Sequence, residues 1–324
     1  MAAQPRSDLD VGDFNMRTAQ PARRFYGEAL LAAAARDPRI VCMSADLTLP
    51  TETELFRDRF PGRFVQAGIA EANMIGVAAG MARSGEVPFV HSFCVFATRR
   101  CYDQIAMQVA YPKLPVKIVG VIPGLTTLLG VSHQAIDDVA LMRALPNMTI
   151  LEPSSPGQVA AAVSATLAVD GPVYLRLRRA DGTEPVGPAE PLEPGRMRIL
   201  REGGDALIVA CGMMVAQSLE AAARLGALGI STCVAEMSTI KPIDPALTDL
   251  ARAFPVVVTA ENHSIIGGLG SAVAEQLMEA GVRAGFGRVG VRDTFAEGGS
   301  TPYLFERYGL TPQDIADQVV RLRG

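Results

Sequence analysis

Glu71 is the residue whose position in the sequence points most directly to chemistry. It follows Gly68 at a predicted turn from a strand into a helix, and apolar residues at positions 74, 75, 78 and 81 give that helix one buried face. A carboxylate in the first turn of a helix complements the helix dipole and stabilises it by ~0.3–1 kcal/mol. The same place is the carboxyl end of a strand, where open α/β folds bind ligands. Glu71 is therefore either a charge that stabilises the helix or a group that acts on a ligand.

The elements that must position such a residue alternate along the chain. Apolar runs predict strands, and alanine-rich segments with helical spacing predict helices. Because the predicted strands are apolar throughout, we expect mainly parallel sheets covered by helices on both faces, an α/β fold. The predicted strands are 40–47, 64–68, 88–93, 116–123, 148–153, 173–178, 206–211, 231–236, 256–261 and 288–293, and the predicted helices of the first half are 23–36, 70–82, 97–110 and 158–168.

A proline-rich stretch divides this pattern into two α/β domains. Prolines at 185, 188, 191 and 194 recur at intervals of three, which is typical of an extended polyproline-like linker. We therefore expect an N-terminal tail over 1–20, a first domain over 21–180, a linker over 181–196 and a second domain over 197–324.

Composition excludes several classes of protein. The 324 residues are 49% apolar, and 30 basic residues against 34 acidic ones leave no positive excess for nucleic acid. No apolar run approaches the ~20 residues that span a bilayer, and the N-terminus lacks the features of a signal peptide. The five cysteines are scattered and odd in number, which indicates core residues in a reducing compartment. We expect a soluble cytoplasmic protein of the α/β class.

Six stretches resemble motifs of the transketolase family of thiamine-diphosphate enzymes, in the family's order. The stretch GIAEANMIGVAAG at 68–80 resembles the motif of the pyrimidine-binding domain, and the resemblance extends over about 22–324. The others are SADLT at 44–48, HSFCVFATRRCYDQI at 91–105, GVSHQAIDDVALMRALPNMTILEP at 130–153, VYLRLRR at 173–179 and ENHSIIGGLGSAVAE at 261–275.

The resemblance assigns four residues to the cofactor thiamine diphosphate. It implies that Glu71 hydrogen-bonds N1′ of the aminopyrimidine ring and promotes its imino form. It implies that Phe96 stacks on that ring with Phe93 close by. Asp46, at the end of a strand, corresponds to a family aspartate near the cofactor; by itself it is equally explained as a strand-end turn residue.

Three further residues are assigned to the substrate by the same resemblance. His133, in the SHQ run, corresponds to an active-site histidine that contacts the donor hydroxyl or the intermediate. Arg179 corresponds to an arginine that binds a substrate phosphate, and Arg24 to a second one. An arginine fork suits phosphate oxygens, although both residues lie in arginine pairs that suit a solvated surface equally well.

The family's metal-binding motif is missing from this sequence. Its GDG motif, which holds Mg²⁺ and the diphosphate on a separate domain, does not occur. The resemblance therefore implies the C-terminal subunit of a split transketolase. An N-terminal diphosphate-binding partner would supply Mg²⁺, in an α2β2 assembly, and the chain would have no activity alone.

One loop departs from the family. In this loop, over 121–134, Leu128 and Leu129 replace an acidic pair, and Val121 or Ile122 stands where a histidine is expected. Outside the loop, Arg99 stands where the family often has a glycine. Because such a pocket has fewer partners for sugar hydroxyls, we expect a specialised donor for two-carbon ketol transfer. Two alternatives remain: another thiamine chemistry, as in the β subunit of a 2-oxo-acid dehydrogenase or in deoxyxylulose-phosphate synthase, and a paralogue without catalysis.

Overall fold

The computed structural model describes residues 24–178 and 190–324. Three predicted features lie outside the described residues: the tail over 1–20, most of the linker over 181–196, and Arg179. The described part forms two α/β sheets with mainly parallel strands, which confirms the predicted fold class.

The first sheet is built from the apolar runs of the first half of the chain. Its central strands are buried along their whole length, as their continuous apolar sequence predicts. These strands are β1 Ile40–Ser44, β2 Phe64–Gln66, β3 Val87–Phe93, β4 Lys117–Val121, β5 Thr149–Leu151 and β6 Val173–Leu177. The helices are α1 Phe25–Arg36, α2 Glu54–Arg59, α3 Glu71–Arg83, α4 Cys94–Thr98, α5 Tyr102–Gln104, α6 Asp138–Ala144 and α7 Pro156–Ala168.

The second half of the chain repeats the alternation of strand and helix. Its strands are β7 Arg198–Arg201, β8 Ala206–Ala210, β9 Thr232–Glu236, β10 Thr239–Lys241, β11 Val256–Ser264 and β12 Gly285–Val291. Its helices are α8 Met214–Ala227, α9 Ala246–Ala251, α10 Leu269–Glu279, α11 Thr301–Tyr308 and α12 Pro312–Arg323. Each predicted strand of this half overlaps an observed one.

One strand of the second half completes the sheet of the first. The seven-stranded order is β10-β5-β6-β4-β3-β1-β2, parallel except for β10, which pairs antiparallel with β5. The five-stranded order is β12-β11-β8-β9-β7, with β7 antiparallel. A three-residue strand such as β10 is too short to show a periodic pattern, so the sequence did not predict it. The two halves of the chain are therefore joined by backbone pairing between β10 and β5.

The predicted helix over 97–110 is wrong in detail, because the chain breaks there into short pieces. α4 is followed by a 3₁₀ turn at Arg99–Cys101, then by α5 and by a π-helical segment at Ile105–Ala110. Thr98 Oγ1 donates to Cys94 O at 2.7 Å and the Cys101 thiol donates to Phe96 O at 3.4 Å. Such side-chain bonds to backbone carbonyls compete with a regular helix.

The core is continuous between the two sheets. One cluster of buried apolar side chains includes Met43 and Ile118 from the first sheet and Val209 and Val257 from the second. All five cysteines are unpaired and buried, as predicted. In the described ranges, no helix has the length and apolar character needed to cross a membrane.

Candidate active site at the carboxyl edge of the first sheet

Glu71 begins α3 just beyond the carboxyl end of β2. The turn before it depends on Gly68, whose φ of 70° lies in the left-handed region that glycine adopts at no steric cost. The Glu71 side chain is 1% exposed. Ser92 Oγ of β3 donates to Oε1 at 3.0 Å, and Arg100 Nη1 donates to Oε2 at 2.9 Å. A carboxylate this deeply buried needs such partners, because an unpaired buried charge is costly.

Three rings gather beside this carboxylate. Phe93 ends β3, Phe96 lies on α4, and His133 comes from the loop between β4 and α6. The ring centroid of His133 lies 5.2 Å from that of Phe96 and 6.0 Å from that of Phe93, edge-on to both. The Arg100 guanidinium carbon lies 4.0 Å from the centroid of the Phe96 ring. Arg100 therefore connects the carboxylate with the aromatic rings.

His133 is held in the electrically neutral form. Burial lowers the pKa of its imidazole below the ordinary value of 6.5, and the positive charge of Arg100 lowers it further. Ser132 Oγ lies 2.9 Å from Nδ1 and fixes the direction of the ring. At neutral pH the ring is thus a hydrogen-bonding group with one donor and one acceptor nitrogen.

The loop that carries His133 is fastened to the second half of the chain. Gln134 Nε2 donates to Glu297 O at 2.8 Å, and the backbone N–H of Leu125 donates to Asn262 Oδ1 at 2.9 Å. Gly124 has a φ of 56° and lies so close to Asn262 that a Cβ atom would come within 2.2 Å of the Asn262 carbonyl oxygen. Residues more than a hundred positions away therefore place His133.

The other predicted residues lie apart from this cluster. Asp46 lies beyond β1 at the same edge; it is exposed, has a φ of 61°, and its backbone N–H donates to Gln66 Oε1 at 2.9 Å. Arg24, just before α1, is ion-paired with Glu54. Arg179 lies outside the described residues. The roles of all seven predicted residues, those of the cluster included, stay predictions.

The loop that departs from the family shows a strained backbone at its start. Ile122, directly after β4, has a φ of 64°, which is rare for a β-branched residue and costs ~1–3 kcal/mol. Leu129 is 43% exposed. The expectation that Leu128 and Leu129 reduce the number of polar partners in the pocket stays a prediction.

Two residues of the cluster were not predicted as site residues. Ser92 and Arg100 both lie within the stretch 91–105 that carried the resemblance. Arg100 follows Phe96 by four positions, a spacing that places two side chains on one face of a helix. That spacing was the available signal. Its value was limited, because the chain between the two residues is not a regular helix.

In the two described ranges, no group of three or more His, Cys, Asp or Glu side chains could hold a metal ion.

Comparison with protein-family models gives a match to each half of the chain. Residues 19–184 match the transketolase pyrimidine-binding domain. Residues 195–315 match the transketolase C-terminal domain. Glu71, Phe93, Phe96, Arg100 and His133 all fall within the first match.

Individual relatives are similar over nearly their whole length. A 6-deoxy-6-sulfo-D-fructose transketolase subunit of Clostridium sp. (strain MSTE9) is 47% identical over 295 residues, covering 90% of this chain and 91% of the relative. A putative transketolase C-terminal section of Methanocaldococcus jannaschii is 41% identical over 302 residues, covering 92% and 95%. A solved structure described as a split gene transketolase, inactive beta4 tetramer, has a TM-score of 0.84 at 45% identity, covering 93% of this chain and 97% of that one.

Proposed function

The chain belongs to the transketolase family and has the extent of its C-terminal subunit, and from this premise we propose that it transfers a two-carbon ketol unit from a ketose donor to an aldehyde acceptor. The observation that carries the proposal is the buried Glu71 carboxylate beside Phe96 and His133. A non-catalytic paralogue has no need to keep a buried carboxylate, an aromatic face and a neutral histidine together.

These residues fit the aminopyrimidine ring of thiamine diphosphate. Glu71 can share a proton with a ring nitrogen, and Phe96, with Phe93 beside it, offers a face on which a planar ring stacks. The Arg100 guanidinium, a planar group with N–H donors, already makes both of these contacts: it hydrogen-bonds Glu71 and stacks on Phe96. A planar N–H donor therefore suits this place. When bound, thiamine diphosphate supplies the nucleophilic carbon by which carbon–carbon bonds are broken and formed. Glu71 then controls the proton at N1′, and Asp46 lies at the same edge of the sheet.

The diphosphate and Mg²⁺ belong, in this proposal, to an N-terminal partner subunit. The proposal rests on the similarity to a split gene transketolase and to a putative transketolase C-terminal section. The cofactor then lies between two kinds of subunit, and closed symmetry favours two copies of each.

His133 contacts the donor sugar in this proposal. A neutral imidazole can hydrogen-bond a hydroxyl group without placing a positive charge beside Arg100. Arg24 and Arg179 are proposed to bind an anionic group at the far end of the substrate. The relative from Clostridium is named for a sulfo-ketose, and an arginine fork binds a sulfonate in the same manner as a phosphate. A donor screen should therefore contain both kinds of ketose.

Reconstitution tests the split-enzyme proposal. Titration calorimetry should show tight binding of thiamine diphosphate with Mg²⁺ by the chain together with its N-terminal partner, and no tight binding by the chain alone. Tight binding by the chain alone would contradict the assignment of the metal site to a partner. Binding by neither preparation would favour a paralogue without catalysis.

The role of Glu71 has a direct test in the assembled enzyme. Glu71→Gln should lower the turnover rate by ~10²–10⁴-fold, because general acid–base groups contribute factors of that size. Glu86→Gln is the matched control: it removes a carboxylate just beyond the other end of α3 and should leave the rate unchanged. A Glu71→Gln enzyme that keeps its rate would disprove the proton-transfer role.

The choice of donor separates ketol transfer from the other thiamine reactions. Release of CO₂ from pyruvate, with no transfer from any ketose, would show that the chain serves a decarboxylating or acyloin-forming enzyme.

A further inference from the structure

Arg100 makes two contacts that together define a flat site. Its Nη1 donates to Glu71 Oε2 at 2.9 Å, and its guanidinium carbon lies 4.0 Å from the centroid of the Phe96 ring. A planar group with N–H donors is thus stacked on an aromatic ring and hydrogen-bonded to a buried carboxylate at the same time. Those are the two contacts that the proposed function gives to the aminopyrimidine ring of the cofactor.

The guanidinium and an aminopyrimidine ring cannot both hydrogen-bond Glu71 Oε2 and stack on the same face of Phe96, because they would occupy the same space. We propose that Arg100 takes the place of the aminopyrimidine ring when no cofactor is bound, and that it must leave Glu71 and Phe96 before thiamine diphosphate can enter. This inference rests on the proposed function, since it takes Glu71 and Phe96 as the partners of the ring.

The energetic reason for such a substitute is the burial of Glu71. Ser92 Oγ satisfies one carboxylate oxygen at 3.0 Å, and Arg100 satisfies the other. Without Arg100 the cofactor-free chain would hold a carboxylate that is 1% exposed with one oxygen unpaired. The guanidinium also covers part of the Phe96 ring, which is attracted to a cation.

The exposure of Arg100 makes its departure feasible. Its side chain is 43% exposed, whereas that of Glu71 is 1% exposed. A half-exposed arginine keeps much of its hydration, so moving it into solvent costs far less than moving a buried ion. Glu71 and Ser92, which lie on regular elements, keep their positions while the long side chain of Arg100 moves.

The test is the affinity of the assembled enzyme for its cofactor. Arg100→Met removes the competing guanidinium but keeps a long side chain. When only a fraction of the protein has an open site, the apparent affinity for the ligand is reduced by that fraction. In Arg100→Met the site is always open, so the variant complex should bind thiamine diphosphate with Mg²⁺ about tenfold more tightly in titration calorimetry. Arg83→Met is the matched control; Arg83 is exposed in the last turn of α3, and its removal should leave the affinity unchanged.

The outcomes separate this inference from the proposed function. If the wild-type complex binds the cofactor and Arg100→Met binds it equally or more weakly, the replacement role is disproved while the proposed function stands. Weaker binding would mean that Arg100 stays in the site and holds the ring. If neither complex binds thiamine diphosphate, the proposed function and this inference both fail.

A second measurement uses the cofactor-free chain and needs no partner. Arg100→Met should lower the melting temperature, because Glu71 loses its partner, and the double variant with Glu71→Gln should recover most of the loss. If Arg100→Met does not lower the melting temperature, or if the second substitution does not restore it, the pairing that the inference requires is disproved.

Discussion

At the scale of single residues, the positive charge of Arg100 determines the electrostatics of the site. Glu71 is buried with a cation beside it, and His133 is half-buried with the same cation nearby. Arg100 therefore acts on both groups: it pairs with the carboxylate and disfavours a second positive charge on the imidazole. One arginine thus pairs with the carboxylate and lowers the pKa of the imidazole, the two groups proposed for catalysis.

The titration of His133 in the cofactor-free chain should report this coupling. Because burial and Arg100 lower its pKa, the ring should take up a proton only below pH 6.5, its ordinary value. Arg100→Met removes the like charge, so the pKa should rise. NMR of the imidazole protons would measure it. Burial lowers the pKa of His91 and of His263 to about 4, so their signals should change little above pH 6 and serve as references there.

An unchanged His133 pKa in Arg100→Met would contradict the coupling. In the assembled enzyme, activity should fall as the pH drops through the pKa of His133, because protonation removes its acceptor nitrogen.

At the scale of elements, the segment after β4 joins the fold to the site. Between positions 122 and 133 this segment contains the strained Ile122, the tightly packed Gly124 and the turn that carries His133. Asn262 of β11 receives the Leu125 N–H and donates to Pro123 O at 3.3 Å, so a single side chain fixes the path of this loop. The second half of the chain thus shapes a site whose named groups all lie in the first half.

Two glycine substitutions should have opposite effects on stability. Gly124→Ala adds a Cβ within 2.2 Å of Asn262 O at a φ of 56°, so the loop must move. We expect a loss of ~1–3 kcal/mol in the free energy of unfolding and a matching loss of activity as His133 shifts. Gly80→Ala, near the exposed end of α3 with no heavy atom within 4 Å of the added Cβ, should stabilise by ~0.5–1 kcal/mol.

Urea denaturation of both variants would measure the difference. A stable and active Gly124→Ala enzyme would show that the loop position is not required.

At the scale of the whole molecule, the two halves are joined through buried charge as well as through β10. Arg176 of β6 is fully buried and donates to Asp138 Oδ2 and to Glu152 Oε1, each at 2.7 Å. It also donates to Asn262 O on β11 at 3.0 Å. Burial is the largest single influence on Asp138 and would raise its pKa. The Arg176 charge, the contribution of His263 and the hydrogen bonds from Arg176 and Tyr174 together outweigh burial, so the pKa lies below its ordinary value. The network holds the second sheet against the first.

Removal of Arg176 should therefore destabilise the entire chain. Arg176→Met leaves two buried carboxylates without their cation, and breaking a buried pair in this way costs ~3–5 kcal/mol. Arg224→Met is the control, since Arg224 forms an exposed pair with Glu220 four residues earlier that contributes ~0.3–0.5 kcal/mol. Equal midpoints of urea denaturation for the two variants would contradict the role of the network.

Much of this organisation was accessible from local sequence. Periodicity located the long strands and helices, because continuous apolar runs and 3.6-residue spacing follow from which faces are buried. Seven residues were named from the resemblance, and the structure brings Glu71, Phe93, Phe96 and His133 together. Asp46 and Arg24 lie apart from them, and Arg179 lies outside the described residues. The helix over 97–110 was wrong because side-chain bonds from Thr98 and Cys101 to the backbone interrupt it. β10 was missed because its three residues are too few to show a periodic pattern.

The sequence by itself determined the α/β class, the two halves and the residue types of the site, because these follow from hydrophobic pattern and from motifs that are local in the chain. Only the tertiary structure decided what surrounds those residues. Three features join distant segments of the chain: Arg100 pairs with Glu71, Asn262 holds the loop that carries His133, and Arg176 links the two sheets through its buried network. Burial and charge act through space, and no spacing along the chain specifies which of many arginines lies against a given carboxylate.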